Sequence, residues 1–118
     1  MANGDIIMLD VDRRAWKLLD AQSASSTGAW VEVTAGFNIR SFIASTLEEG
    51  ASDATVDIHV SNDVTKPADA TAGVVTQTLN TTTQGATKIE SYRWVKAVKT
   101  AGTTPVATTV ILEAARQG

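Results

Sequence analysis

Ala54 to Asp63 reads Ala-Thr-Val-Asp-Ile-His-Val-Ser-Asn-Asp, and the fold turns on this stretch. Ala54, Val56, Ile58 and Val60 fall on one side and Thr55, Asp57, His59 and Ser61 on the other, the two-residue period of a strand with one dry face and one wet face. The run stops at Ser61-Asn62-Asp63, whose short polar side chains bond the local backbone and turn the chain. Such alternation predicts a sheet packed on one side, and it carries an architecture rather than a reaction.

The same pattern recurs on both flanks. Upstream, Phe37 to Ser45 sets Phe37, Ile39, Ser41 and Ile43 against Asn38, Arg40, Phe42 and Ala44. An aromatic on each face predicts a central strand with one face in the core and the other partly covered. Ala29 to Ala35 places Val31, Val33 and Ala35 opposite Trp30, Glu32 and Thr34, and Gly36 then marks a tight turn or bulge. Gln22 to Gly28 reads as a Ser/Thr/Gly loop. Ile6 to Leu9 and Ala15 to Leu19 read as two short strands or arms, joined by a charged connector, Asp10 to Arg14, that equally suits a helical turn. Residues 1–21 are thus expected to form an N-terminal arm or edge strands, and residues 22–118 the main domain.

Downstream, Val64 to Gly73 is a predicted surface loop, in which Pro67 argues against a central strand. Val74 to Leu79 is a short strand and Asn80 to Gly85 a polar loop. Ala86 to Thr100 is the longest predicted strand, and Ala101-Gly102-Thr103 turns it back into Pro105 to Ala114 as a hairpin. In that last run Val106, Val110 and Leu112 share a face and Ile111 lies on the other. Leu47 to Asp53 is a turn leading into the opening stretch. About eight short strands and no amphipathic helix predict a single all-β domain, an antiparallel β-sandwich or jelly roll.

Composition narrows the function classes. Only 27 of 118 residues are Val, Ile, Leu or Phe, so the core is thin, and a net charge of −3 keeps the chain on the folded side of that margin. Ten basic residues stand against 13 acidic ones along the chain, which leaves no footprint for nucleic acid or an anionic membrane surface. No segment nears the roughly 20 apolar residues that span a bilayer. The start lacks a signal peptide's basic flank and long apolar core. The absence of cysteine removes disulfides, thiolate metal sites and a cysteine nucleophile. Synthesis in a cytoplasm, with the outside reached by cell lysis, is the expectation.

Few residues can carry chemistry. His59 is the sole histidine, and Asp57 shares its strand face, close enough for a dyad; the plainer reading is two solvent-facing residues of a half-wet strand. No Gly-X-Ser-X-Gly elbow, His-Glu-X-X-His pair or phosphate loop accompanies them. Asn62, Asp63, Asp69 and Asp53 offer hard oxygens of the kind calcium takes, in a spacing that turn residues explain as well. Glu48 and Glu49 are neighbours in a turn, whereas glycosidase acids face each other across a cleft. The chain is expected to be no enzyme and to hold no cofactor. Trp16, Trp30, Tyr92 and Trp94 are either sugar-stacking or interface aromatics, or ordinary packing against a sheet.

Three segments carry a resemblance: Gly28-Ala-Trp-Val-Glu-Val-Thr-Ala-Gly36, Ala54 to Asp63, and Ser91-Tyr-Arg-Trp-Val-Lys-Ala-Val98 followed by Thr-rich Val106 to Ala114. Together they resemble small β-sandwich proteins of tailed-bacteriophage virions, above all capsid decoration or cement proteins. The resemblance implies a non-enzymatic protein on the capsid surface, a homo-oligomer with a trimer favoured, which binds the major capsid protein and clamps neighbouring subunits, often through an N-terminal arm. Ile6, Ile7, Leu9, Trp16, Leu18, Tyr92 and Trp94 are the expected interface residues. The alternative is a glycan-binding or adhesion module of a phage fibre or tail, working through Trp94 and Tyr92.

Overall fold

The computed structural model describes residues 3–9, 12–45, 54–103 and 106–116. Ten strands account for its regular structure: β1 (Asp5–Leu9), β2 (Arg13–Gln22), β3 (Ser26–Thr27), β4 (Val31–Glu32), β5 (Ile39–Ser45), β6 (Thr55–Ser61), β7 (Val74–Asn80), β8 (Gly85–Ile89), β9 (Trp94–Thr100) and β10 (Thr108–Ala115). They form two antiparallel sheets. The front sheet runs β1-β2-β10-β5-β8, and the back sheet runs from β3 and β4, which share one edge, through β9 and β6 to β7.

The pairing nests. β6 pairs β7, β5 pairs β8, β3 and β4 pair β9, and β2 pairs β10. This is one long two-stranded hairpin whose tip is the β6–β7 loop, wound over so that successive pairs alternate between sheets. Lateral pairing of β10 with β5 and of β6 with β9 then completes each sheet. The fold is an all-β sandwich with the winding of a jelly roll, extended by β1.

Between the sheets lies a single apolar layer. β6 contributes Val56, Ile58 and Val60, as its alternation requires, and these meet Leu18, Leu19, Phe37, Phe42, Leu79, Val95, Val110 and Leu112. Close approach is enforced at the edge of the back sheet, between β3 and β4. A Cβ on Gly28 would lie 2.6 Å from the Leu18 carbonyl and 2.9 Å from that of Ala97, so only glycine lets the two backbones meet there.

Several local expectations need correction. Ala86 to Thr100 is two strands, not one: β8 lies in the front sheet and β9 in the back. The crossing between them is tied by the Glu90 amide to the Asn38 carbonyl (2.9 Å) and the Arg93 amide to Asn62 Oδ1 (2.9 Å). Likewise β9 and β10 make no hairpin, because Ala101-Gly102-Thr103 leads to the other sheet. The buried Lys99 ammonium organises that passage, donating to the carbonyls of Gln22, Ser23 and Val106 at 3.1, 3.1 and 2.8 Å.

Ala29 to Ala35 pairs only at Val31–Glu32, then turns through Gly36, whose φ of 92° fits the predicted turn. In β5 the core face is Arg40, Phe42 and Ala44, while Ile43 faces outward. Phe37 reaches the core from the preceding loop, its ring flanked by the guanidiniums of Arg14 (4.6 Å) and Arg116 (5.0 Å). Buried Arg40 donates from Nε to the Phe37 carbonyl (3.0 Å); burial lowers its pKa, and Glu90 opposes that shift. Where an N-terminal arm or edge strands were expected, β1 is an edge strand, but β2 is an interior strand between β1 and β10. The predicted turn at Leu47 to Asp53, and Pro105, lie outside the described residues.

Candidate functional site

The expected interface residues separate into two groups. Ile6 and Ile7 stand on the edge strand β1, 52% and 41% exposed, next to a register shift between Ile6 and Met8. A bulge on an edge strand twists it away from further pairing. The Leu9 side chain lies outside the described residues. Trp16, Leu18 and Trp94 are buried, and Tyr92 packs half-buried against the core. These four belong to this chain's own packing and present little free surface.

No tryptophan offers a stacking face. Trp94 Nε1 donates to the Asp63 carbonyl (2.9 Å), and Trp30 Nε1 donates to that of Ala68 (3.0 Å). The platform on which a glycan reading depends is therefore covered.

A second outward apolar surface lies on the face of the front sheet. Register sets Ile111 beside Ile43 and Gly85, Glu113 beside Ser41 and Thr87, and Ala115 beside Ile39 and Ile89. Two apolar rows thus flank a polar one in which Ser41 Oγ and Thr87 Oγ1 share a hydrogen bond of 3.0 Å. Ile43 and Ile89 are 58% and 68% exposed. The sequence signal was present as Ile39, Ser41 and Ile43 on one face of a strand. It was obscured because the opposite face holds an arginine, normally the mark of an outward side.

The β6–β7 loop is the second feature that the pattern did not reveal. Residues 62–73 form a strap folded back over the outer face of the back sheet. On β9, Val95 and Ala97 face the core, so Lys96 faces out, yet the strap leaves it only 1% exposed. Its Nζ donates to the carbonyls of Asp69 and Thr71, both at 2.6 Å, and stands 4.8 Å from the Trp30 ring centre. Asp69 Oδ1 accepts the Trp30 amide (3.3 Å). At the strap's far end, the Gly73 amide donates to His59 Nδ1 (3.1 Å).

These contacts also account for the residues with catalytic or metal-binding potential. His59 is held by the strap, and its neighbour Asp57 accepts from the Thr78 hydroxyl (2.7 Å), so the two are engaged separately. Burial first, and then the Lys96 charge, lower the His59 pKa below the usual imidazole value, with Asp57 opposing. Lys96 is itself lowered by burial, opposed by Asp69. Asn62 and Asp69 accept the backbone amides of Arg93, just before β9, and of Trp30, just before β4. Among the described residues no cluster of three His, Cys, Asp or Glu side chains is placed to hold a metal; Asp53, Glu48 and Glu49 lie outside them.

An open groove of about 420 Å³ is lined by Glu32, Val33, Thr34, Ala35, Ser91 and Arg93. Its one carboxylate, Glu32, is paired with Arg93 at 2.6 Å, and the Thr34 hydroxyl accepts from Arg14. Comparison with known proteins gave no match to a family, a curated sequence or a solved structure.

Proposed function

We propose that this protein is a non-enzymatic virion structural protein, a capsid decoration protein that seats the outer face of its front sheet on a shell of major capsid protein. The observation that carries the reading is the pair of apolar rows formed by Ile39, Ile43, Ile89 and Ile111 on the outer face of the front sheet. Apolar side chains grouped on one exposed sheet face, rather than scattered singly, mark a candidate docking surface. A stable isolated pair of proteins buries about 800 Å² on each partner, and four isoleucines around a polar row make a smaller face. A small face gains strength by repetition, because linked weak contacts multiply on a regular lattice. A homo-oligomer, with a trimer favoured, presents several such faces at once.

The direct test uses shells assembled from the major capsid protein encoded in the same genome. The protein should sediment with them, and the double variant Ile43→Asp, Ile89→Asp should bind at least about tenfold more weakly while keeping its fold, since outward residues contribute little to stability. Native mass measured in parallel reads the oligomer. Wild-type protein that stays in the supernatant would overturn the proposal.

A further inference from the structure

We infer that the strap, residues 62–73, is a pH-responsive latch: neutral His59 holds it closed over the back sheet, and protonation of His59 frees its 69–73 end. The decisive contact is the Gly73 amide on His59 Nδ1, 3.1 Å. An imidazole can accept that bond only while Nδ1 is unprotonated; the cationic ring has two donors and no acceptor. Protonation therefore turns a closing contact into two donors facing each other.

The surroundings amplify the change. His59 and Lys96 are direct cross-strand partners, and like charges at such positions repel. Lys96 is the main clasp of the same end, through the Asp69 and Thr71 carbonyls. The closed seat is also tight: a Cβ on Gly73 would fall 2.5 Å from the Val60 carbonyl oxygen and 2.7 Å from Trp30 Cη2. Movement at Gly73 is thus felt at Trp30, which holds Ala68 and Asp69. The 62–63 end is pinned independently by the Trp94 indole on Asp63 and by the Arg93 amide on Asn62, so the strap opens from one end.

The charged groups around the imidazole set the direction. Lys96 on β9 opposes protonation and Asp57 on β6 favours it. The strap brings Asp63, Lys66 and Asp69, and β7, which places Val75 opposite His59, has no ionisable side chain. An opened strap uncovers Trp30 and Lys96, an aromatic and cationic surface hidden in the closed form.

Because His59 is the sole histidine, its ring can be followed by NMR in the full-length protein without assignment ambiguity. The Gly73 amide shift should titrate with the same midpoint as the ring. Exchange protection of amides 69–73, corrected for intrinsic rates, should fall by up to about tenfold per pH unit as pH drops from the free-imidazole value, about 6.5, to the ring's midpoint, while β9 amides stay protected. In His59→Gln the protection of 69–73 should not vary with pH. A Gly73 shift that ignores the ring's titration would overturn the inference. So would equal loss of protection in His59→Gln, and if that variant does not fold, the comparison of the two wild-type titrations decides alone.

Discussion

Trp94 sits at the join between sheet and strap, buried against the back sheet with its indole nitrogen on the Asp63 carbonyl and the Arg93 guanidinium 5.4 Å from its ring. Its removal is a packing loss, so Trp94→Ala should lower the unfolding free energy by about 3–5 kcal/mol, read by urea denaturation. A glycan-stacking surface residue would instead lose binding with little change in stability. Arg40 is a second case: buried with its Nε on the Phe37 carbonyl, it has the Glu90 charge opposing the effect of burial. Glu90 also accepts from the Thr76 hydroxyl (2.6 Å), so Glu90→Ala should destabilise by about 1–2 kcal/mol, measured the same way. For His59 the sign follows from the direction of its shift. A folded-state pKa depressed by burial and by Lys96 means that the unfolded chain binds the proton more tightly. The stability His59 provides is complete above the unfolded value, about 6.5, and is lost as pH falls from there through the folded value. Urea midpoints should drop on acidification across that window in the wild type, and by less in His59→Gln.

Among the elements, β6 was fully legible because its sides are chemically pure, apolar inward and polar outward. β5 was legible as a strand but not in orientation, since Arg40 lies on the core face and Ile43 on the outer one. The division of Ala86 to Thr100 into β8 and β9 left no mark, because alternation continues through Ile89, Ser91 and Arg93 while the chain changes sheet. What breaks the strand is a set of distant partners, Asn38 and Asn62, which no local pattern contains. The N-terminal segment shows the same limit: apolar residues at Trp16, Leu18 and Leu19 mark burial, but only pairing with both β1 and β10 makes β2 interior. This difference has a consequence for truncation. Removing residues 1–10 takes away an edge strand and should leave a cooperatively folding protein, whereas removing residues 1–22 takes away β2 and should leave an unfolded one, as circular dichroism and urea titration would show. Gly28→Ala should also destabilise, by about 1–3 kcal/mol, because β2 and β9 have no room to part.

At the scale of the molecule, the nested pairing explains why a thin core suffices: each sheet is closed laterally by strands far apart in sequence, and the tip of the wound hairpin is folded back as a strap. It also means that early local contacts count for little, so folding is expected on the millisecond-to-second scale typical of non-local β topologies. The all-β sandwich could be read from alternation, turn residues and composition. The proposed docking surface could not, because outward isoleucines and inward ones look alike in a strand until the register is known. With docking proposed for the front sheet and the aromatic residues internal, hydroxyl-radical footprinting of the protein, free and mixed with shells of the major capsid protein encoded in the same genome, is the most direct test of that proposal. Oxidation of Ile43 and Ile89 should fall sharply on binding while that of Val64 on the strap stays unchanged; unchanged Ile43 and Ile89 in the bound protein would contradict a front-sheet docking face.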